Sequence, residues 1–187
     1  MGFVKQWTGV NRYMLTKPGY FFDVYDERHG IGYPLVFMLT SLLAVMVPFG
    51  VVVTLVNITE PTQVLAGIAV MVFLGVVFWL ASVVEVLIAH GILVLFGARG
   101  VATSLEAYAF PALIRYGLWW FPLVNLGIAC YGLILQGKAL SSFHDLSPIK
   151  VALAVIVAAL LSGPAFVVVV AVVAAFVLDL GGTQPMA

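Results

Sequence analysis

The chain is short of charge and nearly free of cysteine. Of its 187 residues only 9% are Asp, Glu, Lys or Arg, and eight basic and eight acidic side chains cancel to a formal net charge of zero. That balance offers no basic surplus for nucleic acid and names no acidic or basic partner. The single cysteine, Cys130, lies in an apolar run, so a disulfide within the chain is excluded and no cysteine cluster exists for a metal. The patterns H-E-x-x-H, G-x-S-x-G and the P-loop are absent, which removes the commonest signatures of metalloprotease, serine hydrolase and nucleotide chemistry. No cofactor is expected. Residues 1–32 are too polar to hold a signal-peptide core, so no cleavable leader is expected either.

What is present is apolar. Hydrophobic residues make up 64% of the chain and the mean hydropathy is +1.18, far outside the usage of soluble domains. The expected fold is all-α: a polytopic integral membrane protein with five transmembrane helices, the third and fourth a short hairpin, behind an amphipathic N-terminal helix. The spans are placed at about 33–56, 64–97, 105–120, 122–135 and 151–178, each judged against the ~20 residues that cross a bilayer. Residues 1–32 form the cytoplasmic interfacial segment, and 33–187 the membrane domain.

Helical spacing puts Phe3, Trp7, Val10 and Met14 on one face of the N-terminal segment and Lys5, Thr8, Arg12 and Thr16 on the other. The stripe predicts a helix lying in the headgroup plane, with Phe3 and Trp7 in lipid and Arg12 toward anionic headgroups. Trp119 and Trp120 mark the interface a second time, and Pro122 beside them predicts a hairpin there. This arrangement puts Lys5, Arg12, Lys17, Arg28, Arg99, Lys138 and Lys150 on one side of the membrane, leaving Arg115 inside a span. By the positive-inside rule that side is the cytoplasm, which puts the N-terminus in and the C-terminus out.

Three charges or near-charges fall in apolar sequence: Glu85, His90 and Arg115. An ionisable group in a span is a site hypothesis by default. Residues 64–97 would make a helix of about 50 Å against a ~30 Å hydrocarbon core, so the segment must tilt, bend or protrude. In an upright helix Glu85 reaches the cytoplasmic interface, sharing that face with His90, Arg99, Glu106, Lys138, His144, Asp145 and Lys150. His90 points about 140° away from Glu85, which disfavours a relay on this helix alone. Structural pairing, a transport role and a partner contact stay open for Glu85. Arg115 either snorkels outward, or lies over Trp119, or pairs with Glu85, the last requiring the second span to tilt. His144 and Asp145 read as a hydrogen-bonded polar turn rather than an acid–base pair.

Three stretches resemble the Yip-one domain family, the Ypt/Rab-interacting group of small multi-span membrane proteins. They are KPGYFFDVYDE before the first span, LFGARGVATSLEAYAFPALI, and YGLILQGKALSSFHDLSPIKVALAV at the approach to the last helix. The eukaryotic branch is implied to act in vesicle traffic through lipidated Rab GTPases and an acidic tyrosine-glycine-proline motif. Here the N-terminal segment is short and the motif is absent, so the likeness is to the prokaryotic branch. The expected function is a non-catalytic membrane-organising or partner-binding adaptor. Its partners would be the lipid bilayer and a membrane or cytoplasmic protein, and homo-oligomerisation is open, since small residues four apart in the last span suit close helix packing. A small permease or channel subunit using Glu85 and Arg115 is the alternative.

Overall fold

Proline and glycine punctuate the chain, and most of its helices begin or end at them. The structure, a computed structural model, describes residues 2–117 and 122–182. Among these residues it is all-helical. Helix α1 (Phe3–Thr16) and helix α2 (Pro18–Val24) are followed by an extended segment, 25–30, that leads into α3 (Gly32–Val56). A tight turn, with Glu60 N donating to Asn57 O at 2.9 Å, joins α3 to α4 (Pro61–Val94). Short helices α5 (Val101–Ala109) and α6 (Ala112–Tyr116) precede the long α7 (Pro122–His144) and α8 (Pro148–Gly182). Pro18 and Pro61 stand at the first helical turn of α2 and α4, where a missing N–H has no partner to lose.

Among the described residues three helices are long and apolar enough to cross a membrane: α3, α4 and the Leu123–His144 part of α7. Helix α8 carries a shorter apolar stretch, Pro148–Pro164. Helix α4 packs on α3 and, most extensively, on α8, while α5 and α6 fill the space between α3 and α7. One pole of the bundle therefore holds the start of α3, the end of α4, the start of α5, the end of α7 and the start of α8, with α1 and α2 folded over it. We call this the N-terminal pole. Leu65, Val72, Val76, Leu80 and Leu87 stay exposed along α4, as apolar side chains do where lipid is the solvent.

The helix ends at this pole are built locally. Gly97, at φ +101, closes α4 with the Ala98 N–H donating to Leu93 O (3.0 Å) and the Gly97 N–H to Val94 O (3.0 Å), the paired bonds of a Schellman cap. Helix α7 ends the same way without glycine. Asp145 takes the left-handed conformation at φ +52, and Leu146 N donates to Ser141 O at 3.1 Å, a role that Asp tolerates better than bulkier residues.

Several expectations need correction. The helix expected over 122–135 does not stop there: α7 continues to His144, so Gln136 and Lys138 are helical rather than in a loop. The reason is packing, because Gln136, Ala139 and Leu140 are buried and carry the helix onward. The third segment is two helices rather than one, broken at Phe110 and Pro111, and the tryptophan pair Trp119 and Trp120 lies outside the described residues. The N-terminal stripe is present, but it faces protein. Phe3 packs edge-on against Tyr33 (5.8 Å between centroids) and Phe37 (6.4 Å), and the Trp7 indole N–H donates to Ser41 Oγ at 3.0 Å. Tyr33, Phe37 and Ser41 recur every four residues on α3 and supply a ready-made aromatic and polar seam. Arg12 stays exposed on the opposite face.

Candidate functional site

Among the described residues, three clusters of polar side chains each join separate helices. The deepest is centred on Arg115, in the last turn of α6. Its Nη2 donates to both oxygens of Glu85 on α4, at 3.1 Å to Oε1 and 2.8 Å to Oε2. Its Nη1 donates to Gln136 Oε1 on α7 at 2.5 Å, and Ser162 Oγ on α8 lies 3.5 Å from Glu85 Oε2. Three helices thus meet on one guanidinium, whose fixed fork suits two acceptors at once, and α8 joins them through Glu85. Glu85 is only 6% exposed; a charge so buried is tolerated because it is paired and hydrogen-bonded.

Backbone geometry delivers Arg115 to this place. Gly117 follows at φ +54 and turns the chain out of α6. On α7, Gly132 faces Arg115 so closely that a Cβ there would fall 2.8 Å from Arg115 Cα. A small cavity of about 10 Å³ beside the pair is lined by Ser82, Tyr108, Tyr116 and Gln136 among others. That is close to the room one water needs, and far below the ~300 Å³ at which small-molecule sites begin.

The second cluster lies nearer the N-terminal pole. Ser104 Oγ on α5 sits 2.8 Å from His90 Nδ1 on α4 and 2.8 Å from His144 Nε2 at the end of α7. One hydroxyl has one proton to give, so it donates to one imidazole and accepts from the other; as it meets Nδ1 of His90 and Nε2 of His144, the two neutral rings then share one tautomer, both Nε2–H or both Nδ1–H. Ser104 is fully buried. A serine between two bases has the makings of a nucleophile, yet without exposed surface its geometry is that of a pin across three helices.

The third cluster ties the N-terminal segment down. Glu106 on α5 is fully buried, and its Oε1 accepts from the His29 backbone N–H at 2.7 Å and contacts His29 Nδ1 at 2.9 Å. Gln6 Nε2 reaches His29 Nε2 at 3.4 Å, and Glu27 Oε2 stands 3.9 Å from the same ring nitrogen. Tyr33 stacks on the same ring at 3.9 Å between centroids. The Tyr25 hydroxyl is 3.2 Å from His29 Nδ1, and burial, reinforced by the Glu106 carboxylate, pushes its pKa well above the ordinary value. Around it Phe21, Phe110, Phe143 and Tyr25 interlock at centroid distances of 4.9 to 6.1 Å, with the Arg28 guanidinium 4.8 Å above Phe143.

Glu85 and Arg115, the two charges singled out in the spans, are therefore brought together, and the reach to Trp119 is not needed to account for Arg115. His90 points elsewhere, as its spacing requires, and finds Ser104. His144 belongs to that pin rather than to a polar turn with Asp145, whose side chain is exposed. Arg99, Lys138 and Lys150 are exposed at the N-terminal pole, the last with its ammonium 5.4 Å over the Phe96 ring. Sequence reading passed over Gln136, Ser104, Ser162, His29 and Gly132. The signal available was polarity at a position that helical packing buries, and it is clearest for Gln136. No group of three or more potential metal ligands occurs among the described residues.

Compared with known proteins, the chain matches no family model, no curated protein and no solved structure.

Proposed function

We propose that the chain is a non-catalytic cell-membrane protein of the Yip-one type, an adaptor whose cytoplasmic face engages a protein partner and the lipid surface. In this reading it has five spans, with α5 and α6 together forming the third and α8 the last. The N-terminus is cytoplasmic, the C-terminus outside, and α1 lies at the membrane surface. The family assignment rests on the three sequence stretches quoted above.

One observation carries the functional reading. Glu85, Arg115, Ser104 and Glu106 are spent on contacts that pin one segment to another, while the N-terminal pole presents Lys5, Arg12, Lys17, Arg99, Lys138 and Lys150 to its surroundings. Cations gathered on one pole suit an anionic cytoplasmic leaflet or an acidic partner surface. The rival reading, a permease or channel subunit, draws on the Glu85–Arg115 pair, since intramembrane charges often line transport paths. A water-sized cavity beside that pair favours the structural role.

Reconstitution separates the two. The adaptor reading expects a partner that cross-links to the full-length protein in native membranes and is lost when residues 2–17 are deleted, with no solute flux in proteoliposomes. Flux that Glu85→Gln abolishes would overturn it.

A further inference from the structure

Between α2, α7 and α8 runs a cavity of about 750 Å³, the size of small-molecule binding sites and unconnected with the three clusters above. Its walls change character along their length. Leu133, Ile134, Ala152 and Ile156 form one end; Asp23, Lys138 and Asp145 line the other, near the N-terminal pole. Along the α7 wall the step from Ile134 to Asp145 covers about 17 Å and grades from apolar to polar, while α8 runs back from Pro148 to Ile156 as an apolar wall beside it. Ile134 and Ile156 are 57% and 58% exposed, leaving the apolar end open sideways. The polar end is fixed in place by the Ser142 hydroxyl, which donates to Phe22 O at 2.7 Å and holds α2 against α7.

The three charges share this cavity without pairing. No ion pair within 4.0 Å joins Lys138 to Asp23 or Asp145 among the described residues. A ligand that satisfies them must carry an anionic group for the ammonium, a cationic hydrogen-bond donor for the carboxylates, and an apolar part for the far end. Two carboxylates against one ammonium disfavour a purely anionic ligand. A quaternary ammonium has no N–H to give to a carboxylate, whereas a primary one has three.

We propose that this groove binds a phospholipid with a zwitterionic, primary-amine headgroup, phosphate on Lys138, amine on Asp23 and Asp145, and an acyl chain along Ile134 and Ile156. The assignment rests on the N-terminal pole lying at headgroup level, as in the function proposed above, but not on the adaptor role.

The test uses full-length protein, delipidated in detergent and titrated with phosphatidylethanolamine, phosphatidylcholine and phosphatidylglycerol of identical chains, with bound lipid counted by native mass spectrometry. Phosphatidylethanolamine should bind about tenfold more tightly than the other two, the worth of one charge-assisted hydrogen bond. Asp23→Asn with Asp145→Asn should erase the margin over phosphatidylcholine, and Lys138→Gln should weaken ethanolamine lipid binding by a similar factor. All three side chains are exposed, so these variants should fold, and unchanged helical circular dichroism checks that they have. Such selectivity supports the groove whether or not a protein partner is captured. Equal binding of the three lipids, a preference for phosphatidylglycerol, or a preference untouched by the substitutions would overturn it.

Discussion

Gly132 and the backbone of Arg115 share one contact: a Cβ on Gly132 would stand 2.8 Å from Arg115 Cα and 3.1 Å from its N. The arginine that holds Glu85 is thus seated by the absence of a side chain on α7. Because the obstruction is main chain, it cannot be relieved by a rotamer change.

Gly132→Ala should therefore lower stability by about 1–3 kcal/mol, the range for overpacking a fitted interface. Gly137, on the same helix, has open space where its Cβ would go, so Gly137→Ala should be neutral or slightly stabilising. Thermal unfolding of both variants in detergent decides; equal midpoints would count against the close approach.

Breaking the Glu85–Arg115 pair from one side leaves a charge stranded. Glu85→Gln and Arg115→Gln are each expected to lose about 3–5 kcal/mol, and the double variant less than their sum. A double-mutant cycle by reversible unfolding measures the coupling. Additive losses would mean that the two side chains do not interact.

Ser104→Ala removes the hydroxyl that both imidazoles use, and about 1–3 kcal/mol should go with it, since two part-buried ring nitrogens lose a partner. Replacing His90 and His144 with Ala singly and together should give non-additive losses, because the two rings communicate through one proton.

His29→Ala should loosen the N-terminal segment while leaving the bundle intact. Lys5, Arg12, Lys17 and Arg28 are exposed on that segment, so limited trypsin digestion in detergent should cut there faster in the variant, and the remaining fragment should keep its unfolding midpoint. Equal cleavage rates would show that the Glu106 contact does not hold the segment.

Topology can be checked with single cysteines, given that Cys130 is the only native one. In a Cys130→Ser background, Arg99→Cys and Thr59→Cys sit at opposite ends of α4. A membrane-impermeant thiol reagent added to intact cells should label the Thr59→Cys protein and spare the other. The reverse pattern would invert the proposed orientation.

How much of this was legible beforehand differs from residue to residue. The 3.6-residue period placed Phe3, Trp7, Val10 and Met14 on one face, and Val10 and Met14 are indeed buried. The period could not say what covers the face, because in a membrane the lipid and a neighbouring helix are equally apolar. Only the Tyr33, Phe37 and Ser41 seam on α3 decides for protein, and that pairing is a tertiary fact. Arg115 was recognisable as a charge that needs explaining. Its partner depended on how α4 and α6 sit side by side, which no single helix encodes. The extension of α7 past 135 was hidden for a related reason: Gln136 looks like the start of a loop by polarity, and becomes a buried helical residue once Arg115 is beside it.

The tether of the N-terminal segment also orders events during synthesis. His29 and Phe22 leave the ribosome first, yet their anchors Glu106 and Ser142 lie 77 and 120 positions later in the chain. At ~5–20 residues per second, these first residues wait for seconds with no place to dock. A closed strap is then a sign that α3 to α7 have all been inserted and assembled. Until then the Phe21 and Phe22 rings lack Phe110 and Phe143, the partners they pack against in the folded chain.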